Sequence, residues 1–287
     1  MSVAHRQHDL MDVESLGTLF VVGTPIGNLD DLSSRARRVL GAVDLIACED
    51  TRRTGRLLSS IGVDRPLIPY HDHNETEQAE VLLKRLNSGE SVALVSDAGI
   101  PTISDPGLTL VRAASAQGVT VTTVPGPNAA LAALSISGLA TDRFVFEGFL
   151  PRRASQRDAR LESLAAETRT LIFYEAVHRV EATLAALEAC FGADRSAAIA
   201  RELTKLHEQV ATGSLATLKI RLGTEIPLKG EFVLLVAGRE ADEAASDAEV
   251  ERIFAILARE LPAKTAVAMT AEITGRSRND VYRLTRT

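Results

Sequence analysis

Two stretches of the chain concentrate side chains that could do chemistry. In "EDTRRTG", residues 49–55, the acids Glu49 and Asp50 stand one residue ahead of Arg52 and Arg53. Carboxylates can take a proton, and neighbouring guanidinium groups can hold the negative charge left behind. In "LVSDAGIPTISDPG", residues 94–107, two aspartates, two glycines and two prolines follow the apolar run Val92-Ala93-Leu94-Val95. Asp97 can accept hydrogen bonds from a ligand, Gly99 lets the main chain approach closely, and Pro101 and Pro106 reduce the freedom lost on binding. A magnesium pair of Asp97 and Asp105 is a rival reading, as is Asp105 initiating the turn before the next helix, and the turn is preferred for Asp105. "RELTK", residues 201–205, adds Arg201, Glu202 and Lys205, and Glu175 and His71 are further candidate proton acceptors.

These residues need elements to hold them, and the pattern of the chain supplies a regular set. Short apolar runs, rich in β-branched or aromatic residues, predict strands at 18–22, 43–48, 91–95, 119–124, 144–147, 169–174, 196–200 and 231–237. Between them, amphipathic segments predict helices near 33–40, 51–61, 75–87, 106–117, 127–137, 155–166, 176–190 and 214–222. Such alternation implies α/β layering with largely parallel central strands, and ligands then gather at the carboxyl ends of strands. Six of those ends carry "GTPIGNL", "EDTRRTG", the 94–107 stretch, "PGPNAA", "EAVHR" and "RELTK". Gly and Pro punctuate any α/β protein, but six such loops on one edge point to a ligand cleft.

Several function classes are excluded. Gly23 and Gly27 are one residue too close for a phosphate-binding loop, and Asn28 stands where its lysine could have followed. No dinucleotide fingerprint follows the first strand, and no serine nucleophile elbow appears. Two cysteines, Cys48 and Cys190, and the turn-like His71-Asp72-His73 offer neither a disulfide framework nor a metal site. With no apolar leader and no membrane-length apolar run, the chain reads as a cytoplasmic protein. The formal net charge of −6 argues against a uniformly basic coat, yet charge is segregated. Arg152, Arg153, Arg157 and Arg160 surround Asp158, the stretch from Glu240 to Glu251 is acidic, and Lys264, Arg276, Arg278, Arg283 and Arg286 make the end basic.

The motifs "GTPIGNLDDLSSRA", "DLIACEDTRRTGRLL", "HDHNE", "ALVSDAGIPTISDPG", "VPGPNAALAAL", "RFVFEGFLP", "RTLIFYEAVHR", "ARELTKLHE" and "KGEFVLLV" span about 17–238 in unbroken order. Together they resemble the bacterial small-subunit ribosomal RNA cytidine 2′-O-methyltransferase family, within the tetrapyrrole-methylase-like class of S-adenosylmethionine (SAM) enzymes. The resemblance implies a two-domain α/β fold, units 17–126 and 127–238, with SAM in a cleft between them, and a homodimer. Its implied target is the 2′-hydroxyl of a decoding-centre cytidine, nucleotide 1402 of 16S rRNA, in free RNA or in the 30S subunit. It places Pro25, Asp97, Ala98, Gly99, Ile100, Asn128 and Ala129 on the cofactor, with Tyr174, Ala200, Gly230 and Glu231 approaching from the second unit. For a ribose hydroxyl, a weak acid, the candidate catalytic groups are Glu49, Asp50, Arg52, Glu202 and Lys205, with roles unassigned.

Residues 1–16 read as an extension. Residues 239–287 follow an acidic linker with a helix, then a helix, a Gly275 turn and a second basic helix, in helix-turn-helix spacing with Ala271 and Gly275 where helices would cross. That tail suits packing, a dimer contact or RNA alike. If it grips RNA, Arg276, Arg278 and Arg283 would contact phosphates, as Arg152 and Arg153 would from the middle of the chain. A non-catalytic ribosome-assembly module and a small-molecule tetrapyrrole methylase share the fold and stand as alternatives.

Overall fold

The computed structural model describes residues 16–239 and 245–285. Its first unit alternates β1 (Thr18–Val22), α1 (Ser34–Ala42), β2 (Leu45–Cys48), α2 (Thr51–Ser60), β3 (Leu67–Pro69), α3 (Glu75–Asn87), β4 (Val92–Val95), α4 (Leu108–Ala116) and β5 (Thr120–Val124). The five strands lie in the order β3-β2-β4-β1-β5, every pair parallel. The sequences LIAC and VALV are apolar at every position because both faces of β2 and β4 are covered. Successive side chains point to opposite faces, so Val92 and Leu94 pack with Leu82 and Leu86 of α3 and Leu110 of α4. Ala93 and Val95 meet Val39 and Leu40 of α1 and Leu58 of α2 on the other side.

The second unit contains α5 (Ala129–Ile136), β6 (Phe144–Phe149), α6 (Ala154–Ser163), β7 (Thr170–Ala176), α7 (Val180–Phe191), β8 (Ser196–Arg201), β9 (Gln209–Ser214), α8 (Leu215–Arg221) and β10 (Glu231–Val236). Its sheet runs β6-β7-β10-β8-β9, and only β6 and β7 are parallel. This corrects the expectation of largely parallel central strands. Burial on both faces, not strand direction, makes a run continuously apolar. Here α5 covers one face through Ala130, Ala133 and Leu134, while α6, α7 and α8 cover the other through Leu161, Leu184, Leu187, Leu215 and Leu218. The strands absent from the sequence reading, β3 and β9, each lie at one edge of their sheet, where LIP is short and closed by Pro69 and QVATGS is half polar.

The tail forms α9 (Asp247–Leu257), α10 (Ala263–Thr274) and α11 (Arg278–Leu284) around a small core of Val250, Ala271 and Val281. Gly275 ends α10 in the left-handed conformation at φ 68°, and Ser277 caps α11 by accepting the Asp280 N–H at 3.1 Å. Ala271 sits in the helix crossing as expected, but Gly275 has open space around it and serves as a cap. The predicted extension before residue 16, the first five residues of the acidic stretch (240–244), and Arg286 lie outside the described residues. Among the described residues, no helix is long and apolar enough to cross a membrane.

Candidate functional site

The loops leaving β1, β2, β4 and β5 meet the ends of β6, β7 and β10 around a cavity of about 470 Å³. Ile26, Glu49, Arg53, Asp97–Ile100 and Ile103–Asp105 line it from the first unit. Asn128, Ala129, Phe149, Tyr174–Val177 and Gly230–Val233 line it from the second.

The acidic loop after β4 is fixed from several sides. Thr24 and Gly99 exchange backbone hydrogen bonds of 2.8 and 3.1 Å, and the Thr24 hydroxyl donates to the Ser96 carbonyl at 3.2 Å. Gly99 has φ 89°, and within the same loop Thr102 (75°) and Ser104 (64°) hold left-handed conformations that cost non-glycine residues free energy. Such strain persists only where surroundings enforce it. Part of that enforcement comes from the second unit, since a Cβ on Gly148, at the bulge of β6, would lie 2.7 Å from the Ser104 hydroxyl.

Charge in the cavity is mostly negative. Asp97 accepts the Asp50 N–H at 3.1 Å with one carboxylate oxygen and meets Arg53 at 3.2 Å with the other. Burial pushes the Asp105 carboxyl up to about 6; the Ser96 hydroxyl works against this, and the charges of Glu49, Asp97 and Asp72 reinforce it. Glu49 is likewise raised, by burial first and Asp97 next. Arg53 is the one basic side chain in the lining among the described residues. The opposite wall is aromatic, with Tyr174 packed edgewise on Phe146 (centroids 5.0 Å apart) and Phe149 (5.6 Å). The Tyr174 hydroxyl accepts the Ala130 N–H at 3.2 Å, and Asn128 accepts that of Leu131 at 3.1 Å. The start of α5 is therefore locked to the wall.

Comparison with known proteins places this geometry. Residues 18–219 match the model of the tetrapyrrole (corrin/porphyrin) methylases, and residues 244–285 match the RsmI C-terminal HTH domain. Relatives named ribosomal RNA small subunit methyltransferase I are similar over nearly their whole length. The one from Xylella fastidiosa is 54% identical over 93% of this chain and 98% of its own. The one from Escherichia coli O157:H7 is 47% identical over 97% of each. The chain belongs to the ribosomal RNA small subunit methyltransferase I family. Solved structures share the fold at lower identity. The methyltransferase CobJ superimposes with a TM-score of 0.59 at 21% identity, covering 78% of this chain and 95% of its own. The cobalamin biosynthetic enzyme cobalt precorrin-4 methyltransferase does so with 0.55 at 15%, covering 77% and 94%. As a member of the ribosomal RNA small subunit methyltransferase I family, the protein is a SAM-dependent methyltransferase.

The residues singled out in the sequence fall into three groups within this family fold. Glu49, Asp97, Ala98, Gly99, Ile100, Asn128, Ala129, Tyr174, Gly230 and Glu231 all line the cavity. Pro25 borders a smaller neighbouring chamber instead. Ala200 lies outside the lining, because β8 is a central strand and its Cβ is packed with Val233 and Leu235 beneath α5.

The remaining candidate catalytic residues have other work. Asp50 is the N-cap of α2, accepting the Arg52 N–H at 2.8 Å and pairing with the Arg52 guanidinium at 3.0 Å, so both side chains face solvent outside the cavity. Donation from Arg52 holds the Asp50 carboxyl down at about 2, which makes it a poor proton acceptor. Glu202 and Lys205 form a pair of 2.9 Å, with Glu231 also 2.9 Å from the ammonium. Burial alone would raise Glu202, but donation by Lys205 and the Glu231 N–H holds it below its ordinary value. This triad borders the cavity through Glu231. It also ties the units together, because a Cβ on Gly27 would lie 2.4 Å from the Lys205 stem.

Glu175 is buried and accepts from the Ala176 N–H at 2.8 Å and the Thr183 hydroxyl at 2.6 Å, and Arg201 donates to the carbonyls of Pro227 and His207. Both are structural. Of the basic residues, Arg152, Arg153, Arg278 and Arg283 are exposed. Arg276 instead spans the tail, donating to the Ala245 carbonyl at 3.0 Å and to Asp247 at 2.7 Å. Sequence reasoning left Arg53, Asp105 and Phe149 off the site. For Phe149 a signal existed, an aromatic residue at a strand end just before Leu150-Pro151.

Proposed function

We propose that this protein transfers the methyl group of SAM to the 2′-hydroxyl of a cytidine in 16S rRNA, nucleotide 1402 of the decoding centre. The observation that carries the reading is the cavity's composition: three carboxylates from the first unit, Glu49, Asp97 and Asp105, facing an aromatic wall across strained, glycine-opened backbone. SAM is a cation with an ammonium, two ribose hydroxyls and no phosphate, and this lining fits it. The Asp97 carboxylate keeps acceptor capacity beyond its two present partners. The backbone of Ala98–Ile100 and the edge of Gly230 lie open to an adenosine or amino acid group, and Asn128, Ala129 and Tyr174 bound the far side.

Bound there, the sulfonium supplies a methyl group already activated for transfer. The protein's share is to align the hydroxyl in line, exclude water and remove a proton. Glu49 and Asp105 are the cavity carboxylates whose proton affinity is raised toward neutrality, which suits a general base. Arg53, paired with Asp97, is placed to steady a developing alkoxide.

The rRNA substrate is supported by the names of relatives at 45–54% identity, whereas the enzymes of corrin biosynthesis are similar only at the level of fold. The reading extends to a homodimer in the cytoplasm. Support for the dimer is the family resemblance and exposed apolar side chains such as Leu131 and Ile136 on α5. Sedimentation as a monomer would remove it.

The test is methyl transfer from labelled SAM to 30S subunits and to free 16S rRNA from cells lacking the protein, with the label placed by mass spectrometry. One 2′-O-methylcytidine in the decoding centre, absent with Asp97→Ala, is the expected result. SAM binding without transfer to either RNA would sink the rRNA reading and return the small-molecule methylase.

A further inference from the structure

Beside the acidic cavity lies a second chamber of about 260 Å³ between the loop after β1 and the side of α2. Arg53, Arg56, Leu57 and Ser60 of α2 face it at helical spacing i, i+3, i+4, i+7, opposite Pro25 and Leu29. Thr54 and Leu58 are the buried residues of this helix and Leu57 packs on the core beside them, whereas Arg53, Arg56 and Ser60 are exposed and have no packing task.

Its charge is the reverse of its neighbour's. Two guanidinium groups border it against the single carboxylate Asp97, and Leu29, an apolar side chain left 50% exposed, forms part of the opposite wall. Arg56 donates its Nε to the Arg52 carbonyl at 3.3 Å, and no carboxylate pairs with its guanidinium among the described residues. The two chambers share one partition, Arg53 and Asp97, in contact at 3.2 Å. A cationic methyl donor is favoured on the acidic side and an anionic acceptor on the basic side. The atoms that react must then meet at the partition.

We propose that this second chamber is the acceptor subsite: it takes the methylated nucleotide of a single-stranded RNA segment, with a phosphodiester on Arg53 and Arg56 and apolar contact to Pro25 and Leu29. The volume is of the order of one nucleotide with its base turned out of a stack, as single-stranded RNA is commonly read. Arg56 touches only this chamber, so it separates acceptor binding from donor binding. The inference rests on the rRNA methyltransferase reading above.

The experiment compares wild type, Arg56→Ala and Ser60→Tyr in methyl transfer to 30S subunits, with SAM affinity measured by calorimetry. Removing one phosphate contact should raise KM for 30S about five- to tenfold and shallow the dependence of log affinity on log salt by about 0.7. Ser60→Tyr, at the solvent-exposed end of α2, obstructs the chamber without touching the core and should raise KM in the same way. SAM affinity should match wild type in both variants. Arg56→Ala with wild-type KM and wild-type salt slope overturns the subsite, as does a rise in KM matched by an equal loss of SAM affinity. If wild type itself methylates neither 30S nor rRNA, the function reading has failed, and the subsite falls with it by a different observation.

Discussion

At the residue scale the clearest case is Asp105, to which a local rule assigns only a turn. An Asp before Pro-Gly starts a turn, and nothing within ten residues contradicts that. Its raised proton affinity comes first from burial that only the fold creates, and then from the charges of Glu49, Asp97 and Asp72. By contrast, Asp97 and Glu49 are legible because a strand end is a ligand position whatever surrounds it. The Asp105 carboxyl titrates at about 6 in the folded chain against 3.8 ordinarily. Between those values the folded state holds a proton that the unfolded state has released, so stability falls as pH rises through that window. Asp105→Asn should therefore unfold at higher urea than wild type at pH 7.5, by on the order of 1 kcal/mol after solvent screening. At pH 3, where both wild-type states are protonated, the difference should vanish. The same variant should lose about 100-fold or more in kcat together with the limb of the pH profile that rises through about 6. Retention of that limb would move the proton acceptor to Glu49.

At the element scale, most strands and helices and their order were readable from apolar runs and caps, and the parallel direction of the first sheet was too, but the direction within the second sheet was not. The interiors of β8 (Ala197–Ala200) and β10 (Phe232–Val236) are as apolar as β2 and β4, because α5 and the α6–α8 layer bury both faces of an antiparallel pair as completely as helices bury a parallel one. What decides direction is the connection. β8 turns back into β9 through residues 202–208, a loop in which Glu202 and Thr204 hold φ of 51° and 66°. The edge strands β3 and β9 escaped the sequence reading since half-exposed edges carry polar residues and Pro69. Loop crossings also became visible only in space. Gly23 after β1 and Gly126 after β5 pass so closely that a Cβ on Gly23 would lie 2.7 Å from the Gly126 Cα. Backbone on both sides leaves nothing to give way. Gly23→Ala should cost about 1–3 kcal/mol in urea unfolding, and it should weaken SAM binding because Thr24, the next residue, anchors the Gly99 loop. Wild-type stability in that variant would show that the crossing can open.

At the scale of the whole molecule, a chain of net charge −6 must still hold a polyanion. It does so by segregation. The cavity proposed for the cationic cofactor is acidic, the chamber behind Arg53 carries the opposite sign, and further arginines stand on the tail. The tail's own arginines divide by task. Arg276 is fixed between the Ala245 carbonyl and Asp247, across the junction where α9 begins and α10 has ended. Arg278 and Arg283 sit on α11 with exposed side chains, although Arg283 pairs with Asp280 at 2.9 Å, an exposed contact worth little. If the tail grips RNA, the double variant Arg278→Ala, Arg283→Ala should weaken 30S binding uniformly and reduce the salt slope by about 1–2, with SAM affinity and melting temperature unchanged. Arg276→Ala should act differently, loosening the three-helix packing and raising hydrogen exchange in α9 and α11 before it changes any salt slope. These signatures part the two roles cleanly, because counterion release follows phosphate contacts, whereas exchange follows the hydrogen bonds that hold the helices together. A double variant with wild-type 30S affinity and salt slope would leave the tail to packing or to a second copy of the chain. The proposed RNA contacts would then reduce to the α2 arginines and the exposed Arg152 and Arg153.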